Sequence, residues 1–154
     1  MSTGTVRLHR VLRAGAGAGA GARKVYRAFL DGAAMAKWIP PYGFICKVRH
    51  LDAKVDGTFR MSFENFSTGQ GHSFGGEYLD RVPGELIRYP DKFDDPSLPG
   101  EIRVSVSLKP VSCGTEPNIV REGMPEVLPV ETCHLGWQES LAQLAPLVEP
   151  DIPG

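Results

Sequence analysis

The residues in this chain best suited to chemistry are His72 and Glu77, five apart in "GQGHSFGGEY". A histidine beside a carboxylate can move a proton to and from a bound molecule. On a regular strand, residues five apart face opposite sides, so the pair needs a bulge at Gly75 and Gly76 to meet. The carboxylates of "DKFDDP", Asp91, Asp94 and Asp95, read as an exposed turn with weak divalent-cation binding as the sharper alternative. Ser140 in "GWQES" falls in helical sequence, away from the strained GxSxG elbow that activates a serine. Cys46 has only His50 near it in sequence and reads as a buried thiol. Glu64 is a still weaker candidate, and His134 suits a helix interface. No HxxxH, no CxxC and no glycine-rich loop followed by Lys-Ser/Thr occurs, so we expect no metal and no cofactor.

These residues belong to a chain of 154, enough for one domain spanning 1–154 with a substantial core. The composition, 42% hydrophobic and 23% charged, is that of a globular protein. A net charge of -1 and a pI near 6.4 provide no basic field for phosphate backbones, which argues against nucleic acid as a partner. Three cysteines, Cys46, Cys113 and Cys133, are expected as reduced, mostly buried thiols. "MSTGTVRLHRVL" lacks the apolar centre of a signal peptide, and no stretch reaches the roughly 18 apolar residues of a membrane span. Both observations lead us to expect a cytoplasmic protein with no membrane contact.

The positioning elements follow from periodicity. "TVRLHRVL" suits a first strand. The glycine–alanine tract at 14–22 has no side chains to pack and reads as a flexible connector. Val25, Phe29 and Leu30 recur at helical spacing, with Gly32 as a stop signal, and "AAMAKW" forms a second short helix ending before Pro40 and Pro41. Six strand stretches come next. The clearest is "EIRVSVSLK", with Ile102, Val104, Val106 and Leu108 on one face, and Pro83-Gly84 marks a tight turn. From about Val127 the period becomes helical, with Val130, Cys133, Trp137, Leu141, Leu144 and Val148 on one stripe, Pro146 predicting a kink or early end, and 149–154 a tail. The fold class is α+β: a curved antiparallel sheet of about seven strands, two short helices and a long C-terminal helix that grips the sheet.

Several pieces, "VYRAFLDGAAMAKWIPP", "GGEYLDRVPGELIRYPDKF", "VSVSLKPVSCGTE", "EGMP" and "GWQESLAQLAPLVE", run in an order that resembles the START-like (SRPBCC, helix-grip) superfamily. The branch most similar is the C-terminal domain of the activator of heat-shock protein 90 ATPase. Where that family carries a proline- or acid-containing helix start, this chain has its glycine–alanine tract, so the first helix is expected to lack a good N-cap. Pro90 and Pro117 are expected at bulges or strand ends.

The resemblance implies a cavity between sheet and last helix that takes a small hydrophobic molecule. Its wall would be Phe59, Met61, Phe63, Val104, Val106, Trp137, Leu141 and Leu144, with Trp38, Tyr42 and Phe44 at one mouth. That is the function we expect, in a monomer or homodimer. Two alternatives stand beside it. The branch name implies a chaperone-associated protein that binds through the outside of its sheet, and related helix-grip proteins imply a cyclase, dehydratase or hydrolase that uses the pocket. His72 and Glu77 are the catalytic candidates for such an enzyme.

Overall fold

Strict alternation over residues 102–109 makes a strand with one apolar face, and the same rule builds most of the molecule. The computed structural model describes residues 4–13, 20–98, 100–150 and 152. In chain order the elements are β1 (Gly4–His9), α1 (Ala20–Ala28), α2 (Gly32–Trp38), β2 (Phe44–Leu51), β3 (Thr58–Asn65), β4 (Gly71–Glu77), β5 (Asp80–Val82), β6 (Leu86–Phe93), β7 (Ile102–Val111), β8 (Gly114–Met124) and α3 (Val130–Val148). One antiparallel sheet runs β1-β8-β7-β6-β4-β3-β2, with short β5 on the side of β6. The chain is therefore a meander from β2 to β8, with β1 added at the β8 edge. "HSFGGEYLDRV" divides into β4 and β5, which raises the strand number to eight.

α1 begins at Ala20, inside the glycine–alanine tract, so Ala20–Ala22 are helical and not connector. The remainder of the tract, 14–19, lies outside the described residues, as does the capping position before Ala20. Gly32 starts α2 instead of stopping α1. The signal that sequence reasoning passed over is Asp31, whose carboxylate accepts from the Ala34 amide at 3.0 Å and caps the helix. The segment 149–154 is in part tied down: Glu149 accepts from the Arg13 amide at 2.9 Å, and the Pro150 carbonyl accepts from Lys24 Nζ at 2.7 Å.

The prolines are accommodated in ways the sequence did not suggest. Neither Pro90 nor Pro117 ends its strand. Pro90 pairs with Arg103 on the β7 side, while on the other side β6 changes partner, from β5 at Leu86–Arg88 to β4 at Lys92–Phe93. Pro117 pairs with Leu108, and on its β1 side it falls between the His9–Asn118 pair and the isolated Leu12–Thr115 bridge. Each missing N–H thus falls where the neighbouring ladder is already interrupted. Pro146 does not end α3 early. It lies on the exposed face and the helix continues to Val148.

The core lies between the inner sheet face and the three helices, with Val25, Trp38, Val106, Ile119, Leu141 and Leu144 among its most buried members. Polar bonds fix α3 to the end of α2. The last carbonyls of a helix lack intrahelical partners. Here Gln143 Nε2 donates to the Trp38 and Pro40 carbonyls at 3.1 and 2.6 Å, and Ser140 Oγ donates to Ile39 at 2.7 Å. Trp38 Nε1 in turn donates to the Ala28 carbonyl at 2.9 Å, so α1, α2 and α3 are locked together. No helix among the described residues is long and apolar enough to cross a membrane.

Candidate functional site

Between the sheet and α3 the side chains leave a cavity of about 240 Å³. β3 contributes Phe59, Met61 and Phe63, whose alternate positions all face inward. The aromatic wall is interlocked: the Phe63 and Phe74 ring centroids are 5.0 Å apart at 81°, and Phe59 and Tyr89 are 5.2 Å apart at 85°. Edge-to-face contact is a favoured arrangement of aromatic rings, worth about 0.5–1.5 kcal/mol beyond area burial. Trp137 closes the helix side, edge-on to Trp38 at 6.3 Å.

Of the residues expected to form the wall, Phe59, Met61, Phe63 and Trp137 line the cavity, as does Phe44. The other expected residues do not. Val104, Val106, Leu141 and Leu144 are packed in the core beyond the lining: β7 is an interior strand of the sheet, and α1 packs against β7 and β8 there. Trp38 is fully buried behind Trp137, with its ring against Phe29. Tyr42 is 58% exposed in the loop after α2, where its amide donates to Glu139 Oε1.

The proposed His72–Glu77 pair does not form. The β3–β4 register runs without a shift from Thr58–Glu77 to Glu64–Gly71, so Gly75 and Gly76 make no bulge and Glu77 points outward into solvent. Gly76 instead lets β6 come close: a Cβ there would lie 1.9 Å from the Pro90 carbonyl oxygen. His72 does line the cavity, with its ring 5.7 Å from those of both Phe63 and Phe93. Burial lowers its pKa below the usual histidine value, against the attraction of Asp91 and Asp95.

The carboxylate that joins His72 is Asp91, which the sequence placed in an exposed turn. Asp91 is buried in β6, and only Asp94 and Asp95 occupy the turn, with Asp94 paired to Arg60. Asp91 Oδ2 accepts from Arg121 Nη2 of β8 at 3.1 Å, with side chains 7% and 6% exposed. Burial pushes the Asp91 carboxyl up from its ordinary value, with the Arg121 guanidinium opposing it. Arg121 also lies over the Trp137 ring, 5.2 Å from its centroid, in cation–π geometry. Asp91 Oδ1 and Arg121 Nε are buried with no hydrogen-bond partner among the described residues. Cys133 of α3 lines the same end of the cavity, and burial raises its thiol pKa, opposed by Arg121. A signal for this pair existed. In β6, Ile87, Tyr89, Asp91 and Phe93 are alternate residues, and in β8, Ile119 and Arg121 are, so both charges fall on the inner face.

The remaining candidates are elsewhere. Ser140 is buried and its hydroxyl is occupied by main-chain carbonyls. His50 is exposed and bonded to Thr58 Oγ1, and Glu64 borders a separate groove lined by Lys47, Arg49 and Asp94. Cys46 is buried with its thiol pushed up to about 11 by desolvation, whereas Cys113 is exposed in the β7–β8 turn, contrary to the expectation of mostly buried thiols. No group of three or more His, Cys, Asp or Glu that could hold a metal occurs among the described residues.

The model of the family described as "Activator of Hsp90 ATPase homolog 1-like protein" matches residues 20–149. The chain belongs to this family. A crystal structure of a protein from Chromobacterium violaceum is 56% identical, with a TM-score of 0.90 over 96% of this chain and 98% of that one. A Rhodobacter sphaeroides protein shares the fold at 17% identity, TM-score 0.80, over 93% and 90% of the two chains. The Aha1 dimer from Colwellia psychrerythraea does so at 16% identity, TM-score 0.71, over 95% and 96%. No curated protein matches the sequence. The START-like, Aha1-like branch read from the sequence is the one to which this family and these folds correspond.

Proposed function

We propose that this member of the activator of Hsp90 ATPase homolog 1-like family binds a small, mainly apolar molecule between its sheet and α3. The observation that carries the proposal is an aromatic-walled cavity of about 240 Å³ that has a buried, incompletely bonded ion pair at one end. Ligand sites are generally apolar clefts with a few convergent polar groups. The volume is slightly below the roughly 300–1,000 Å³ of drug-sized pockets, so the occupant is small.

The test is a thermal-shift screen of small aromatic and aliphatic compounds, followed by titration calorimetry. A ligand that binds only the native state raises the melting temperature by mass action, about 2.7 kcal/mol of stabilisation at a hundredfold excess over Kd. Absence of any response across compounds that fit the cavity rejects the proposal. The chaperone reading comes from the family description and would use the outer surface, whereas the unpartnered polar atoms belong to the inner one. A homodimer, as solved for the Colwellia psychrerythraea protein, is checked by light scattering on the purified chain.

A further inference from the structure

The ion pair at the polar end of the cavity is closed on one side only. Arginine and carboxylate commonly meet as a fork, through two parallel hydrogen bonds. Here Arg121 Nη2 donates to Asp91 Oδ2 at 3.1 Å, while Arg121 Nε and Asp91 Oδ1, a second donor and a second acceptor, have no partner among the described residues. Both residues line the cavity. An unpaired buried donor and an unpaired buried acceptor are each unfavourable, and one group that supplies the complement of both relieves both.

The charges around this end limit what that group can be. Asp91 and Arg121 sum to zero. The titratable neighbours facing them are His72 from β4, Tyr89 from β6 and Cys133 from α3, and burial disfavours the charged form of all three. The Trp137 ring covers the guanidinium on the helix side. A carboxylate would place a second anion beside Asp91, and an ammonium a second cation beside Arg121. Either would enter an aromatic-walled site with no further charge to balance it.

Resting on the reading of the cavity as a ligand site, we propose that its ligand is uncharged and carries a donor and an acceptor side by side, on two atoms bonded to one carbon. A primary carboxamide is the simplest match: its N–H donates to Asp91 Oδ1 and its carbonyl accepts from Arg121 Nε–H. The apolar remainder of the ligand lies along Phe59, Phe63 and Phe74.

The experiment is calorimetric titration of the full chain with four probes of one shape: 3-phenylpropanamide, 3-phenylpropanoate, 3-phenylpropylammonium and propylbenzene. The amide is expected to bind about tenfold or more tightly than each of the others. A carboxylate, an ammonium or the plain hydrocarbon binding as tightly as the amide overturns the neutral-head proposal and leaves the cavity reading in place. If none of the four binds, both fail. A second arm uses the paired substitution Asp91→Val with Arg121→Met, which removes both charges and keeps an apolar filling. That variant should bind propylbenzene and lose its preference for the amide. A preference that persists shows that other atoms recognise the head group.

Discussion

Gly136 offers the sharpest test of how the cavity is built. It lies in the middle of α3 and lines the cavity, and a helix-interior glycine is about 1 kcal/mol less favourable than alanine. A Cβ added there would meet only the Pro41 Cβ, at 3.8 Å, which is ordinary van der Waals contact. No steric cost therefore offsets the gain in helix propensity. Gly136→Ala should raise stability by about 1 kcal/mol and the melting temperature by roughly 2–4 °C for a chain of this size. The measurement is urea unfolding followed by the fluorescence of Trp38 and Trp137, in which the midpoint should rise at constant slope. The same methyl narrows the cavity, so affinity for a bound apolar probe should fall as stability increases. An unchanged or lowered midpoint would refute the reasoning, because it would mean that α3 needs glycine at this position for packing or conformation.

Three further outcomes follow from the same site and from the thiols. Asp91→Ala leaves Arg121 buried without its counter-charge and should cost about 3–5 kcal/mol in urea unfolding, whereas the paired Asp91→Val and Arg121→Met change should recover most of that loss; equal losses in the two variants contradict the pairing. His72 has its folded pKa depressed by burial, so its contribution is present above the unfolded value of 6.5 and lost as pH falls through the folded one. Melting temperature should therefore decline on acidification below about pH 6.5, more steeply in the native chain than in His72→Gln, and parallel curves would show that His72 is not involved. An aromatic disulfide reagent near neutral pH should label Cys113 first, Cys133 slowly and Cys46 only on unfolding, an order read by mass spectrometry of timed samples; early labelling of Cys46 would contradict its burial.

Much of the architecture was legible because its determinants are local. Alternation over Ile102–Leu108 specifies a strand with one buried face, Pro83-Gly84 the tight turn, whose Glu85 amide bonds the Val82 carbonyl, and the Cys133–Trp137–Leu141–Leu144 stripe the helix that must cover the sheet. His72 lines the cavity, but the carboxylate near it is not the one that its sequence neighbourhood suggests. Glu77 is close in sequence and faces away, whereas Asp91 is third in the alternating run Ile87, Tyr89, Asp91, Phe93 and faces in. Arg121 went unnoticed because thirty residues separate it from Asp91 and a whole strand, β7, lies between them in the sheet.

Sequence periodicity therefore determined which residues form strands and helices and which face each side turns to the core, since both depend on neighbours within a few positions. Which inward residues line the cavity and which disappear into the core was decided by tertiary structure alone. Val104 and Leu144 are as apolar and as inward-facing as Met61, yet they are buried in the core away from the cavity lining. Strand order, helix seating and the sum of side-chain volumes across distant segments set that separation, and none of these is encoded in a local repeat.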